Sequence, residues 1–199
     1  MITLRQLERL WRAEEYGRLA EVLLENRPEA TLRLRKELAR AVPVAAMVII
    51  RLDELNQAHA PFCGEMIRTV LAGQEADGGW GDPLVTAVCL HALMCGNGDG
   101  AAIERGLAYL ASIQRNEGLW PRIPMRRMPA DPFVSAFILY HLGQDPRFGQ
   151  RIRLNEALGW FETYGGSELD LDTARLWRSI ALRRQVRRFA EQAGLVSWS

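Results

Sequence analysis

A short acidic segment near the end of the chain carries the residues best suited to proton transfer. Asp170 and Asp172 are separated by one leucine and are followed directly by Thr173 and Ala174. A positioned carboxylic acid can donate a proton to a substrate, so these two aspartates are the candidate catalytic acids. The alternative is structural, because an aspartate at the start of a helix also binds the free amide groups of the first turn.

A basic loop supplies a second kind of candidate site. Arg122, Arg126 and Arg127 lie between a tryptophan and an aspartate that precedes an apolar segment. Guanidinium groups pair well with phosphate oxygens, and helix N-termini also favour anions. We therefore predict that this loop binds the anionic part of a ligand or partner. The alternative is a solvated loop whose arginines pair with nearby acids.

Ring-bearing side chains on apolar segments are candidates for the wall of an apolar ligand site. They are His91, Phe137, Tyr140 and Trp177. The alternative is that they pack in the core. Cys89 and His141 lie on the same segments, but Cys89 and His91 are two positions apart and point to different faces of a helix. We therefore predict no metal site and no bound cofactor.

These candidates lie within a repeated pattern of glutamine, glycine and tryptophan. Two copies of Gln-x3-Gly-x-Trp occur, formed by Gln74, Gly78 and Trp80 and by Gln114, Gly118 and Trp120. Asp82 and Asp131 follow the two copies, and each precedes a proline that suits the first turn of a helix. A third, degraded copy has Glu162 and Glu168 in place of glutamine and tryptophan. Each unit therefore predicts a helix, a turn and an aspartate-capped helix.

The second copy, extended by Arg105, Gly106, Tyr109 and Leu110, spells R-G-x2-Y-L-x3-Q-x3-G-x-W. This string resembles the QW repeat of the terpenoid-cyclase and protein-prenyltransferase superfamily, and the likeness to squalene-hopene-cyclase-like repeats covers about 64–182. The resemblance implies an all-α fold, a partial α/α toroid built of αα-hairpins. It implies outer helices near 64–74, 101–114 and 150–163, and inner helices near 83–95, 132–142 and 171–190.

The resemblance also bears on chemistry. Cyclases of this superfamily protonate their substrate from D-x-D-D followed by Thr-Ala. Aligned on Thr173 and Ala174, Leu171 takes the place of the proton donor and Asp172 alone corresponds. Prenyltransferases bind zinc through an aspartate, a cysteine two residues later and a histidine, and Asp82 has no cysteine at that distance. Both motifs are incomplete, so the sequence does not decide whether the protein is an enzyme.

Composition sets broader limits. The 199 residues carry a formal net charge of +1, so nothing in the whole-chain charge favours nucleic acid. The three cysteines, Cys63, Cys89 and Cys95, have no zinc-like spacing and indicate free thiols in a reducing compartment. The most apolar run, over 42–50, is shorter than the ~20 residues that span a bilayer. We predict a soluble, cytoplasmic protein with no integral membrane segment.

Two functional classes remain open at this point. In the first, the repeats over 61–199 bind an isoprenoid or another apolar small molecule. In the second, the chain is a structural helical-repeat interaction module or a subunit of a larger complex. Residues 1–60 lack the pattern and are interpreted as a helical arm or diverged repeats, continuous with the rest. An open ring exposes apolar edges, which favours a homo-oligomer or a protein partner.

Overall fold

A computed structural model describes residues 2–96, 98–125, 128–165 and 169–193. Within these ranges the chain forms eleven α-helices and no strand, which confirms the all-α prediction. The helices are α1 (Leu4–Arg12), α2 (Tyr16–Leu24), α3 (Leu32–Glu37), α4 (Ala41–Glu54), α5 (Pro61–Ala72), α6 (Pro83–Cys95), α7 (Gly100–Ile113), α8 (Pro132–Leu142), α9 (Pro146–Arg151), α10 (Leu154–Tyr164) and α11 (Leu171–Gln192). An isolated bridge joins Pro121 to Ala130 in the loop before α8.

A row of five helices runs through the middle of the molecule. Helices α2, α4, α6, α8 and α11 pack in that order, each against the next. Helices α4, α6 and α8 are apolar nearly all round and are buried along most of their length, as such sequences require. Helix α5 packs against α4 and α6, and α7 packs against α6. None of the described helices combines the length and apolar character needed to cross a bilayer.

The first sixty residues belong to the same core as the repeats. Leu7, Leu19 and Leu34 are fully buried in the apolar cluster that also contains Leu110 and Ile180. Helix α2 packs against α1, α3 and α4. The segment without the repeated motif therefore shares one continuous core with the segment that contains it.

The third outer helix, predicted near 150–163, corresponds to α10, which begins at Leu154. The chain forms two helices there, α9 and α10, separated at Ile152 and Arg153. The Gln114 side chain accepts a hydrogen bond from the Arg153 amide at 2.9 Å and donates to the Arg153 carbonyl at 3.3 Å. Arg153 is the N-cap of α10: its carbonyl also accepts the first hydrogen bond of that helix, from the Ala157 amide at 3.2 Å, and the Gln114 side chain binds its free amide.

Candidate functional site

Each glutamine of the repeated turn ties one outer segment to the next. The side-chain amide of Gln74 donates to the carbonyl of Ala102 in α7 at 2.8 Å. The amide of Gln114 makes the equivalent bond to Arg153, just before α10. Both amides also donate to the carbonyl of the motif glycine four residues later, at 2.9 and 2.7 Å. The two turns thus have the same hydrogen-bonded structure.

Each tryptophan of the turn is buried and hydrogen-bonded to the preceding helix. Trp80 and Trp120 are 4% and 0% exposed. The indole N–H of Trp80 donates to the Val70 carbonyl at 2.7 Å, ten residues earlier in the chain. The indole of Trp120 donates at the same offset to the Leu110 carbonyl at 2.8 Å. Each buried indole therefore stabilises the fold by apolar packing, and its N–H group does not lose a hydrogen bond on burial.

The aspartates after the two turns cap the following buried helices. Asp82 accepts a hydrogen bond from the Val85 amide at 2.9 Å, and Asp131 accepts from the Phe133 amide at 2.9 Å. A hydroxyl four residues after each aspartate, on Thr86 or on Ser135, accepts from the backbone amide of the motif tryptophan. The turn and its buried helix therefore form one rigid unit.

The third unit uses different contacts to join its helices. Glu162 of α10 accepts a hydrogen bond from Arg184 of α11 at 3.1 Å. Trp177 stacks on Phe161 with ring centroids 5.0 Å apart, which connects the same two helices. Glu168 lies outside the described residues. Trp177, a predicted ligand contact, is therefore part of the packing between α10 and α11.

Three of the predicted ligand contacts, His91, Phe137 and Tyr140, do meet in space. His91 on α6 and His141 on α8 face each other, with their Nδ1 atoms 3.0 Å apart. The ring of Phe137 lies 4.5 Å from that of His141, and the ring of Tyr140 lies 5.3 Å from it. These side chains form the centre of a polar cluster near the C-terminal ends of the buried helices.

Charged residues from the loop between α2 and α3 complete this cluster. Glu29 is only 2% exposed, and Arg27 lies 3.6 Å from its carboxylate. Arg27 also pairs with Glu54 at the end of α4, at 2.6 Å. The Tyr140 hydroxyl lies near the Glu29 carboxylate, and each group shifts the pKa of the other. The buried carboxylate thus has a cation and a phenol as neighbours, as burial of a charge requires.

Helix α11 contributes one arginine to the cluster. The guanidinium of Arg183 lies 4.2 Å from the centre of the Tyr140 ring. It donates to the Tyr140 hydroxyl at 2.9 Å and to the Tyr140 carbonyl at 3.2 Å. The cation–π interaction between the guanidinium and the ring stabilises this contact in addition to the two hydrogen bonds. We define the histidine cluster as Arg27, Glu29, Glu54, His91, Tyr140, His141 and Arg183.

The environment of the cluster keeps both imidazoles neutral. Burial lowers the pKa of His91 to about 4, and the positive charge of Arg183 adds to this effect. Burial also lowers the pKa of His141 well below its ordinary value. Burial raises the pKa of Glu29, and burial together with the charge of Glu29 raises the pKa of Tyr140 to about 12. Two neutral imidazoles can share one hydrogen bond, with one ring as donor and the other as acceptor.

The candidate acids at the start of α11 have the geometry of a helix cap. The Asp170 carboxylate accepts hydrogen bonds from the amides of Asp172 and Thr173, both at 3.0 Å, and from the Thr173 hydroxyl at 2.6 Å. Burial by itself would raise the pKa of Asp170, but the bonds from Thr173 and Asp172 hold it below its usual range. A carboxylate stabilised in this way is a poor proton donor.

The basic loop is remote from the histidine cluster. Arg122 pairs with Glu37 of α3, next to the bridge that precedes the N-terminus of α8. The histidine cluster lies at the opposite end of α8. Arg126 and Arg127 lie outside the described residues. The structure thus does not bring Arg122 together with the aromatic candidates.

The other candidate metal ligands are also held apart. Asp82 caps α6 and lies 3.5 Å from Arg40, whereas Cys89 is fully buried in the core. In the part of the chain that the structure describes, no three histidine, cysteine or acidic side chains are placed to hold a metal ion. The cysteines Cys63, Cys89 and Cys95 are free thiols.

Sequence reasoning missed the two residues that bury charge in the cluster. Arg27 and Glu29 flank Pro28 in a segment that carries no motif, and no periodic pattern marks them. No family model matches the chain, and neither a curated protein nor a solved structure shows significant similarity to it.

Proposed function

We propose that this chain is an open array of αα-hairpins of the terpenoid-cyclase type, and that it binds a protein partner without cyclase or zinc chemistry. The two equivalent Gln-Gly-Trp turns support the repeat interpretation. The capped, ionised Asp170 and the lack of a metal-binding group among the described residues support a role in binding. Three free cysteines fit a cytoplasmic location.

The cavity among the described buried helices is too small for an isoprenoid chain. The cavity between α2, α4, α6 and α8 has a volume of only about 10 Å³. Small-molecule sites in proteins commonly have volumes of ~300–1,000 Å³. The buried aromatic residues therefore fill the centre instead of lining a chamber, and a binding partner has to be found on the surface.

The outer face of α11 carries the observation on which the proposal depends. Leu182, Val186 and Phe189 are 62%, 60% and 63% exposed. Their spacing places them on one side of the helix, opposite the buried Leu176 and Ile180. Exposed apolar groups of this kind are typical of interaction surfaces. We define the α11 groove as the depression of about 570 Å³ lined by Gln144, Pro146, Leu182, Arg183, Val186, Arg187 and Ala190.

The charge around the α11 groove favours an acidic partner. Two of the residues that line it are arginines, and none is acidic. Arg187 is paired with Glu191 at 2.9 Å, so the positive charge of the lining comes mainly from Arg183. Arg178 and Arg188 are further exposed arginines on the same helix. An apolar strip between arginines matches an amphipathic helix that has apolar residues at positions i, i+4 and i+7 and glutamates along its edges. We propose that the α11 groove binds a partner helix of this kind.

A designed peptide tests the proposal directly. The probe is a labelled amphipathic helix with leucines on one face and flanking glutamates, and its control carries lysines at the flanking positions. We expect the acidic peptide to bind in fluorescence anisotropy titrations, with a Kd at least about tenfold lower than that of the lysine peptide. Val186→Glu should abolish binding. Leu171→Glu should leave it unchanged, because Leu171 is equally exposed on α11 but lies outside the groove.

Equal binding of both peptides, or loss of binding with Leu171→Glu alone, would contradict the proposal. Native mass spectrometry of the purified protein provides a second measurement. A stable homodimer that Val186→Glu dissociates would show that the groove binds a second copy of this chain, and would overturn the acidic-helix assignment.

An apolar ligand is the second candidate for the same surface. The α11 groove is apolar at its base and has Arg183 and Arg187 at its edge, so it offers contacts for both an isoprenoid chain and its diphosphate. Geranylgeranyl diphosphate is the suitable probe. A one-to-one adduct in native mass spectrometry that Val186→Glu removes, together with no binding of the acidic peptide, would favour this second function.

A further inference from the structure

The histidine cluster contains two buried polar atoms that have no hydrogen-bond partner. They are the Nε2 atom of His141 and the Oε2 atom of Glu29. His141 and Glu29 are 9% and 2% exposed, so neither side chain reaches bulk water. A buried polar atom without a partner costs ~1–3 kcal/mol, which gives both atoms a strong tendency to bind a polar group.

Both residues line the same cavity. The cavity of about 10 Å³ has apolar walls from α2, α4, α6 and α8, and its polar lining comes from His141, Glu29 and Arg27. A volume of ~10–15 Å³ holds one water molecule, which needs two to four polar partners. An ammonium ion of similar size is disfavoured, because the Arg27 guanidinium contributes a positive charge to the same wall.

We infer that this cavity is a binding site for a single water molecule, which accepts a hydrogen bond from His141 Nε2–H and donates one to Glu29 Oε2. This arrangement satisfies both atoms at once. It also fixes the direction of the hydrogen bonds in the cluster, because a neutral imidazole carries its proton on one nitrogen only. His141 then accepts at Nδ1, and His91 donates from Nδ1–H across the 3.0 Å contact.

Polar groups then approach Glu29 from two sides. On one side, the Tyr140 hydroxyl accepts a hydrogen bond from Arg183 and lies near the Glu29 carboxylate. On the other side, His91 donates to His141, and His141 donates through the water. The lowered pKa values of both histidines are consistent with this arrangement, since neither imidazole has to be charged. The water thus completes a chain that connects α6, α8 and α11 to the loop before α3.

Nitrogen-15 NMR of the full chain at neutral pH tests the inference. Long-range proton–nitrogen spectra distinguish protonated from unprotonated ring nitrogens. We expect His141 to be protonated at Nε2 and His91 at Nδ1, with the exposed His59 as the internal reference. We also expect a cross peak between the His141 Nε2–H proton and a bound water. A His141 protonated at Nδ1, or the lack of that cross peak, would overturn the inference.

Matched variants on α6 separate bound water from other causes of the signal. Val88 lines the cavity, whereas Val85 is buried on the same helix but does not line it. Val88→Ile adds one methyl group toward the cavity and should remove the water cross peak. Val85→Ile adds the same methyl group outside the cavity, and the water cross peak should remain. Persistence of the peak in Val88→Ile would contradict the site, and the wild-type tautomers decide the question if that variant does not fold.

Discussion

The Nδ1 atoms of His91 and His141 lie 3.0 Å apart across the contact between α6 and α8. The two residues are fifty positions apart in the chain, and they lie on different helices. Because burial lowers the pKa of both imidazoles, the contact is a hydrogen bond between two neutral rings. A proton on either ring would place a positive charge beside Arg27 and Arg183.

The first prediction is that stability falls on acidification. Unfolded histidine titrates near 6.5, whereas the pKa of folded His91 is about 4, so the unfolded chain binds more protons between these values. As the pH falls through that window, His91 should lower the free energy of unfolding by about 3 kcal/mol. Glu29 acts in the opposite direction, because its raised pKa lets the folded state take up a proton first.

Urea unfolding at pH 7.5 and pH 5.0 measures this effect. His91→Gln should reduce the difference in unfolding free energy between the two pH values. His59→Gln should preserve it, because His59 is exposed and outside the histidine cluster. A difference between the two pH values that is the same in the wild type and in His91→Gln would show that His91 is not held neutral.

The second prediction concerns the glycines of the repeated turns. Gly78 and Gly118 have φ angles of +92° and +85°. A Cβ atom on Gly118 would lie 2.3 Å from the Ala157 amide nitrogen, and one on Gly78 would lie 2.5 Å from the Arg105 carbonyl oxygen. Alanine at either position would have to adopt a positive φ angle and would also overlap with the backbone. We therefore expect either substitution to lower the free energy of unfolding by about 2–4 kcal/mol.

Gly159→Ala is the matched control for the glycine variants. Gly159 lies in α10, and a Cβ atom there would meet nothing within 4 Å. Alanine has the higher helix propensity, so this change should stabilise the protein by up to about 1 kcal/mol. Midpoints of thermal unfolding for the three variants give the comparison. Similar midpoints for Gly118→Ala and Gly159→Ala would refute the prediction.

The third prediction is that Gln74 and Gln114 are equivalent in energy. Each side chain binds one carbonyl within its turn and one on the next outer segment. Replacement by leucine removes a donor from the carbonyls of Gly78 and Ala102, or from the Gly118 carbonyl together with the acceptor of the Arg153 amide, and we expect each change to cost about 2–3 kcal/mol. Gln150→Leu, on the exposed surface of α9, should change the stability by less than about 0.5 kcal/mol. Chemical unfolding with a tryptophan fluorescence signal is the suitable assay.

The fourth prediction is that the thiols react slowly in the folded protein. Burial raises the pKa of Cys95 to about 12, and burial also raises the pKa values of Cys63 and Cys89. Because the thiolate is the reactive form, labelling by a disulfide reagent at pH 8 should be at least about tenfold slower in the folded than in the unfolded chain. Ser112→Cys adds a thiol at an exposed position and should react rapidly. Rapid labelling of the wild-type protein would contradict this result.

The sequence alone determined the helical class and the positions of the buried helices. The segments after Asp82 and Asp131 are apolar throughout, and a helix that is apolar on every side is expected to be buried. An aspartate before a proline marks the start of a helix. The start of α6 and α8 at Pro83 and Pro132 depends on such local rules. Local rules did not reveal the contact at Arg153, whose amide donates to the side chain of Gln114, thirty-nine residues earlier.

Only the tertiary structure decided which side chains meet. The histidine cluster joins residues from α6, α8, α11 and the loop before α3, and no periodic pattern relates Glu29 to His141. The same holds for the α11 groove, since the sequence shows that Val186 and Phe189 share a face but not which face packs against α8. Helical periodicity depends on neighbours within a few residues, whereas burial depends on the packing of the whole chain.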